Sequence, residues 1–271
     1  MSKSNLTQIV VPADEGNYTK GRSGRSIEAI TIHHMAGRLT AEQCGRIFQA
    51  KGRYGSSHYG VGYDGSIANY VDEENTAWTN SNWDSNCKSI TIEISDNDNS
   101  WYVNDTTLNA VIKLVADIAK RRGLGTLVPG KNLTWHSMFT NTTCPGDYLR
   151  SKMQYIADEA NKINNSESIK EKTTEELARE VIEGKYGNGE DRKQALGDRY
   201  AEVQARVNEI LAPASVPSAD ILDLVRKTIR GDFGNGEDRR NALGSNYDEV
   251  QRQVNLNFQN GTTNWDSVRL Y

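Results

Sequence analysis

Apolar residues in the first 160 positions form short β-rich runs separated by helical segments. Compact apolar runs at 27–34 and 88–96 each predict a strand, and residues 56–71 predict two short strands around the turn Tyr63-Asp64-Gly65. Residues 41–53 predict a helix, and residues 108–121 predict a longer amphipathic helix with its apolar residues on one side. This order predicts an α/β N-terminal domain in which helices flank a mixed central sheet.

The last third of the chain contains an internal repeat. The segment Val181–Asn208 recurs as Thr228–Asn255 at a constant offset of 47, and 17 of the 28 aligned positions are identical. Apolar residues in each copy recur at helical spacing, and glycines lie just past the ends of the first two stretches. Each copy therefore predicts a small all-α repeat of three short helices.

Two stretches with little apolar content predict linkers. One is NNSESIKEKTT, which begins at Asn164, and the other is APASVPSA, which begins at Ala212. The predicted organisation is an N-terminal domain at 1–162, a linker at 163–172, a first repeat at 173–211, a linker at 212–218, a second repeat at 219–258 and a tail at 259–271. We expect the tail either to pack Trp265 against the second repeat or to mediate association.

Composition narrows the class of protein. The chain has 271 residues, 36% of them hydrophobic, which is enough for one sizeable core and further small units. A net charge of -4 indicates no general phosphate-binding surface, so we do not expect nucleic acid as a partner. The N-terminal apolar patch is too short for a signal peptide, and we expect no membrane insertion. The three cysteines lack the spacing of a disulfide scaffold, so we expect reduced thiols, one of them a metal ligand.

Histidine and cysteine side chains carry the candidate chemistry. His33 and His34 end the first long predicted strand, whereas His136 and Cys144 lie eight residues apart after the long helix. Imidazole nitrogen and thiolate sulfur are good zinc donors, and a catalytic zinc usually has three protein ligands and one open position. This combination indicates a zinc hydrolase.

Four segments, in this order, resemble a known enzyme family: AITIHHMAG, SSHYGVGYDGSI, SITIEIS, and TWH followed by CPGDYL. Over roughly residues 1–160 the chain resembles the zinc-dependent N-acetylmuramoyl-L-alanine amidases of type 2, which are related to peptidoglycan recognition proteins and common in phage endolysins. The resemblance implies His33, His136 and Cys144 as zinc ligands, and cleavage of the amide between N-acetylmuramic acid and the first L-alanine of the stem peptide. Strand alternation places His34 on the opposite face from His33, so we expect His34 to be a packed neighbour.

Amide hydrolysis also needs a group that moves protons. Glu93 lies between Ile92 and Ile94 in an otherwise apolar strand, where an unpartnered carboxylate would be unfavourable. We therefore predict Glu93 as the catalytic base, with a structural Glu paired to an arginine or a backbone amide as the alternative. Some members of the family use a tyrosine and a lysine instead, but this chain has Ser57 and Thr142 at those positions.

Two further residues of this domain have open roles. His58 either stabilises an oxyanion near the metal or is a satisfied histidine beside a strand. Trp78 is our candidate for a wall of the substrate groove, because aromatic faces suit sugar rings, although such residues more often pack in a core or at its rim.

The repeats resemble the CW_7 cell-wall-binding repeat of phage lysins through the pattern GNGEDR, ALG and a tyrosine followed by VQ and VN. The resemblance implies attachment to peptidoglycan, and two linked copies would raise apparent affinity for a polymeric ligand. Arg192 and Arg239 are our candidate contacts, with a solvated or capping arginine as the alternative.

The predicted function is thus a peptidoglycan hydrolase, made in the host cytoplasm without a signal peptide and active on the cell wall after release. One alternative is a recognition protein of the same fold that binds peptidoglycan without cutting it. Another is a structural zinc, which would require a fourth protein ligand such as Asp147.

Overall fold

The computed structural model describes residues 3–98, 100–211, 218–262 and 264–271. The chain forms two compact units, Met1–Lys172 and Thr173–Tyr271. Within the described residues, no helix combines the length and the apolar content needed to cross a bilayer.

The first unit is built on a mixed sheet, as the sequence predicts. Its strands are β1 (Ile9–Val10), β2 (Tyr18–Thr19), β3 (Ala29–His34), β4 (Tyr59–Val61), β5 (Ile67–Asn69), β6 (Thr76–Ala77), β7 (Ser89–Ile94) and β8 (Leu133–Trp135). Six of them form the main sheet in the order β1-β5-β4-β7-β3-β8, in which only β4 and β5 pair antiparallel. The remaining two, β2 and β6, form a small antiparallel ribbon.

The two longest helices of the first unit cover the apolar face of this sheet. The helices of the first unit are α1 (Ala41–Phe48), α2 (Trp83–Lys88), α3 (Asp105–Arg122) and α4 (Gly146–Glu171). Helices α3 and α4 pack together with the isoleucines of β3 and β7 in the main core, where Ile32, Ile92 and Ile118 are fully buried. Each such side chain contributes roughly 1.5–3 kcal/mol through removal from water.

On the opposite face of the sheet, strands β3, β7 and β8 carry polar side chains that are also buried. Thr31 of β3 and Thr91 of β7 have no exposed surface, and Thr31 Oγ1 lies 2.9 Å from Thr134 Oγ1 of β8. The parallel register places His33 beside Glu93 at the carboxyl ends of β3 and β7. Registered residues of neighbouring parallel strands point to the same side, so His33 and Glu93 share this polar face.

The predicted linker at 163–172 was wrong as far as Glu171, because α4 continues through it without interruption. Asn164 Nδ2 donates a hydrogen bond to the carbonyl oxygen of Ala116 at 3.0 Å, and Ile169 is buried. Lys120 of α3 forms ion pairs with glutamates of this last stretch of α4. These contacts with α3 favour helix over the loop that the polar composition predicted.

The second unit contains three helices in each copy of the repeat, as predicted. They are α5 (Thr174–Ile182), α6 (Gly189–Leu196) and α7 (Tyr200–Leu211) in the first copy, and α8 (Ser218–Arg230), α9 (Glu237–Leu243) and α10 (Tyr247–Gln259) in the second. The predicted linker at 212–218 falls outside the described residues except for Ser218, which begins α8.

The C-terminal tail packs against the second repeat. The Gln253 side chain both accepts a hydrogen bond from the Tyr271 amide and donates one to its carbonyl oxygen, and Asn257 does the same for Arg269. The Arg230 guanidinium lies 5.6 Å from the ring centroid of Trp265. Of the two roles considered for the tail, the structure therefore shows the packed one.

Candidate metal centre

Three side chains with metal-binding atoms meet at the carboxyl end of β3. His33 lies near the end of this strand, His136 starts a short 3-10 turn directly after β8, and Cys144 lies in the loop before α4. One potential ligand atom from each residue lies within 4.8 Å of the others. His33 Nδ1 is 3.7 Å from Cys144 Sγ, and the two imidazole centroids are 4.4 Å apart.

The state of these donors suits a zinc ion. His136 Nε2 is buried without a hydrogen-bond partner, which is unfavourable for a polar atom unless it binds a ligand. Burial lowers the pKa of His33 to about 3 and also lowers the pKa of His136, so both rings are neutral and keep a lone pair at pH 7. Burial and the nearby Glu93 raise the pKa of the Cys144 thiol to about 12, so metal binding must release its proton. Two imidazoles and one sulfur with no fourth protein donor in the described cluster correspond to a catalytic rather than a structural zinc site.

His34 and Asp147 lie outside this cluster. His34 Nδ1 is 3.2 Å from Asp96 Oδ2, and its ring packs at 4.2 Å from the Trp101 ring. Asp147 is an exposed residue in the first turn of α4. The structure therefore brings together the three residues that the resemblance implies, without His34 as a ligand and without Asp147 as a fourth.

The loop that carries Cys144 is held by close packing. The peptide bond between Cys144 and Pro145 is cis, and Gly146 has a φ of 85°. A Cβ atom at Gly146 would lie 2.7 Å from the Trp101 ring, so the tryptophan fits directly against the glycine backbone. The Ser137 amide donates to the Cys144 carbonyl at 3.1 Å, which connects the turn that carries His136 to this loop.

Glu93 is half-buried beside the cluster. Its removal from water, reinforced by the charge of Asp96, raises its pKa to about 8, whereas the cationic Arg53 opposes this shift. Within the described part of the chain the Glu93 carboxylate forms no ion pair or hydrogen bond, and its interaction with Arg53 is electrostatic only. A carboxyl group with a pKa near neutrality is suited to both taking up and releasing a proton.

His58 is fully buried and its two ring nitrogens have partners. Nδ1 lies 3.0 Å from Thr91 Oγ1, and Nε2 lies 3.1 Å from the Asn75 carbonyl oxygen and 2.9 Å from Arg22 Nη2. Burial lowers its pKa to about 3, so the ring is neutral. This environment corresponds to the satisfied histidine among the two predicted roles and not to a group that contacts substrate.

Trp78 is half-buried, and its indole Nε1 donates to Thr19 Oγ1 at 2.9 Å. Two residues later, Asn80 lies against the metal cluster, because its Oδ1 is 2.8 Å from His33 Nε2. Asn80 is not predictable from the sequence, since an asparagine in a polar loop resembles an ordinary turn residue.

Arg192 and Arg239 have matching environments in the two repeats. The Arg192 guanidinium donates to the Gly187 carbonyl, to Asn188 Oδ1 and to Gln204 Oε1. Arg239 makes the three equivalent contacts in the second repeat, with the Gly234 carbonyl, Asn235 Oδ1 and Gln251 Oε1. Both arginines therefore hold the glycine-rich turn against the third helix of the repeat, which is the capping alternative.

Two family models match the chain. The family model described as N-acetylmuramoyl-L-alanine amidase matches residues 23–147, and the CW_7 repeat model matches residues 175–211 and 223–257. No curated protein matches the chain.

Several solved structures are similar to part of the chain. A mutant endolysin from Bacillus subtilis is 19% identical, with 56% of this chain and 97% of that chain covered and a TM-score of 0.47. The N-acetylmuramoyl-L-alanine amidase LysC from Clostridium intestinale is 20% identical, with 55% and 97% covered and a TM-score of 0.43. The PlyG catalytic domain is 18% identical, with 58% and 94% covered and a TM-score of 0.49.

Proposed function

We propose that this peptidoglycan amidase, which joins an N-acetylmuramoyl-L-alanine amidase domain to two CW_7 repeats, is zinc-dependent and uses Glu93 as its proton-transfer group. The amide that it cleaves joins N-acetylmuramic acid to the L-alanine of the stem peptide. The repeats direct the enzyme to the bacterial cell wall. The observation that supports the zinc proposal most strongly is the convergence of His33, His136 and Cys144 on one point beside Glu93.

In this proposal the three cluster residues hold the zinc ion. When bound, zinc supplies polarisation of the scissile carbonyl and a lower pKa for water. Neutral His33 and His136 each offer a lone pair, and Cys144 contributes the only negative charge among the three ligands after it loses its proton.

Glu93 moves the proton in the proposed reaction. Its carboxylate takes a proton from the attacking water and then donates it to the amine that leaves when the amide bond breaks. The pKa of Glu93 is raised in the metal-free protein. A cation bound at the neighbouring cluster would lower this pKa, because positive charge stabilises the ionised carboxylate that acts as the base.

A recognition protein that only binds peptidoglycan would create no new ends in the wall polymer. Purified protein added to isolated cell walls should release new free amino termini of L-alanine without new reducing sugar ends, because the amide and not a glycosidic bond is cleaved. End-group analysis of the digested walls measures both products. New reducing ends, or no new ends of either kind, would contradict the amidase assignment.

The repeats should determine binding to the wall separately from catalysis. Truncation after Lys172 keeps the whole of α4 and should leave a folded catalytic unit that sediments with cell walls much less than the full chain. Without the linked repeats, the apparent affinity for cell walls should fall by a factor on the order of 10² or more. Truncation after Leu211 keeps one repeat and should give intermediate sedimentation, whereas equal sedimentation of all three proteins would show that the repeats have another role.

In the full chain we expect Arg192→Ala and Arg239→Ala to weaken binding through the turn that each arginine holds.

A further inference from the structure

A series of buried polar groups, linked by hydrogen bonds, leads from His33 away from the metal cluster. His33 Nε2 lies 2.8 Å from Asn80 Oδ1, Asn80 Nδ2 lies 3.0 Å from Ser89 Oγ, and Ser89 Oγ lies 2.6 Å from the Ser85 carbonyl oxygen. The side chains of His33, Asn80 and Ser89 are at most 2% exposed. Water therefore has little access to these contacts, so each polar atom must find its hydrogen-bond partner among these groups.

The Ser85 carbonyl oxygen, at the end of this series, fixes the direction of each hydrogen bond in it. A backbone carbonyl oxygen only accepts, so the Ser89 hydroxyl must donate its single hydrogen to Ser85. Ser89 Oγ is then left as an acceptor, and the partner that faces it must be the NH₂ group of Asn80. The amide oxygen of Asn80 is consequently turned to His33, where it accepts the hydrogen of Nε2.

A second contact holds the backbone of Asn80 in place. Asn86 Oδ1, on α2, accepts hydrogen bonds from the backbone amides of Asn80 at 2.8 Å and Thr79 at 3.2 Å. The amide side chain of Asn80 therefore projects from an anchored position toward His33, in an orientation set by Ser89. A neutral imidazole has one protonated and one unprotonated nitrogen, so a hydrogen on Nε2 leaves the lone pair on Nδ1. Nδ1 is the nitrogen that faces Cys144 Sγ.

We propose that Asn80 is a positioning residue that fixes the Nε2–H tautomer of His33, with Ser89 and the Ser85 carbonyl setting the orientation of its amide. The inference rests on the proposed function in one respect, since it assigns Nδ1 as the atom that His33 offers to zinc. Partners of this kind orient a ligating histidine and commonly contribute 10–100-fold to metal affinity.

Three substitutions separate this role from simple packing. Asn80→Ala removes the acceptor, Asn80→Asp keeps it, and Ser89→Ala leaves Asn80 in contact with His33 but removes the group that orients its amide. Thr31→Val is the matched control, because it removes a buried hydroxyl from the same strand as His33 while leaving the His33-Asn80-Ser89 chain intact. The readouts are the tautomer of His33 and the affinity for zinc.

The tautomer is measurable on the metal-free full chain by nitrogen NMR of labelled histidines, because the chain has only 4 histidines. The wild type and Thr31→Val should show Nε2–H at His33, whereas Asn80→Ala and Ser89→Ala should show a mixture of tautomers. Zinc affinity, measured by competition with a chromogenic chelator, should fall about 10–100-fold in Asn80→Ala and stay close to the wild-type value in Asn80→Asp.

An Nδ1–H tautomer in the wild type would overturn the inference, and this result does not depend on whether any variant folds. Unchanged tautomer and zinc affinity in Asn80→Ala would also overturn it. A wild-type protein with the Nε2–H tautomer that binds no zinc would instead contradict the proposed zinc dependence, while the tautomer assignment would stand.

Discussion

Glu93→Gln should lower the rate of wall hydrolysis by about 10²–10⁴-fold, the usual contribution of a positioned acid-base group, and leave zinc bound. The substitution keeps the shape of the side chain but removes its ability to take up and release a proton near neutral pH. Glu93 is not among the three residues whose ligand atoms converge, so the metal content should not change. The measurement is the turnover rate on isolated walls together with the zinc content of the same preparation.

Glu42→Gln is the matched control for this prediction. Glu42 is an exposed carboxylate on α1 that pairs with Arg46 one turn later, so the same chemical change there should leave both activity and zinc content unaltered. Full turnover by Glu93→Gln would show that another group moves the proton. Loss of zinc from Glu93→Gln would show that Glu93 supports the metal rather than the reaction.

The strands and the candidate site residues could be placed from the sequence because their signals are local. The runs around His33 and Glu93 are short and apolar, and a buried strand needs little more than such a run to be recognised. The pairing of β3 with β7 is not local, and only the structure shows that their register sets His33 level with Glu93 on the polar face of the sheet.

Residues whose role depends on tertiary packing left no such signal. Asn80 lies in a polar loop, and its burial arises from contacts with Asn86 and Ser89. His58 had two open roles because a histidine beside a strand has the same sequence pattern whether its ring faces substrate or packs among buried residues. The polar stretch after residue 162 resembles a loop, yet contacts with α3 extend α4 to Glu171.

Cys144→Ser and His136→Ala should each lose zinc and activity together. Each change leaves two of the three ligands, and Cys144→Ser also removes the only negative charge that the ligands provide. Activity should fall by about 10³-fold or more, since the metal contributes several kcal/mol of charge stabilisation in the transition state and each 1.36 kcal/mol is a tenfold change in rate. Elemental analysis and turnover on isolated walls measure the two losses.

Cys87→Ser is the matched control for Cys144→Ser. Cys87 is a fully buried thiol whose sulfur contacts Thr76 and lies outside the metal cluster. Its substitution should leave the zinc content unchanged even if stability falls. Retention of zinc by both Cys144→Ser and His136→Ala would remove these two residues from the metal centre.

The zinc content of His33→Ala, compared with that of His34→Ala, tests directly whether His33, His136 and Cys144 together hold a zinc ion. The two histidines are adjacent in sequence, but only His33 Nδ1 faces the cluster, while His34 contacts Asp96 and Trp101. Elemental analysis of the purified proteins should find one zinc per chain in the wild type and in His34→Ala, and none in His33→Ala. A wild type without zinc, or a His33→Ala protein that retains it, would contradict a zinc centre formed by His33, His136 and Cys144.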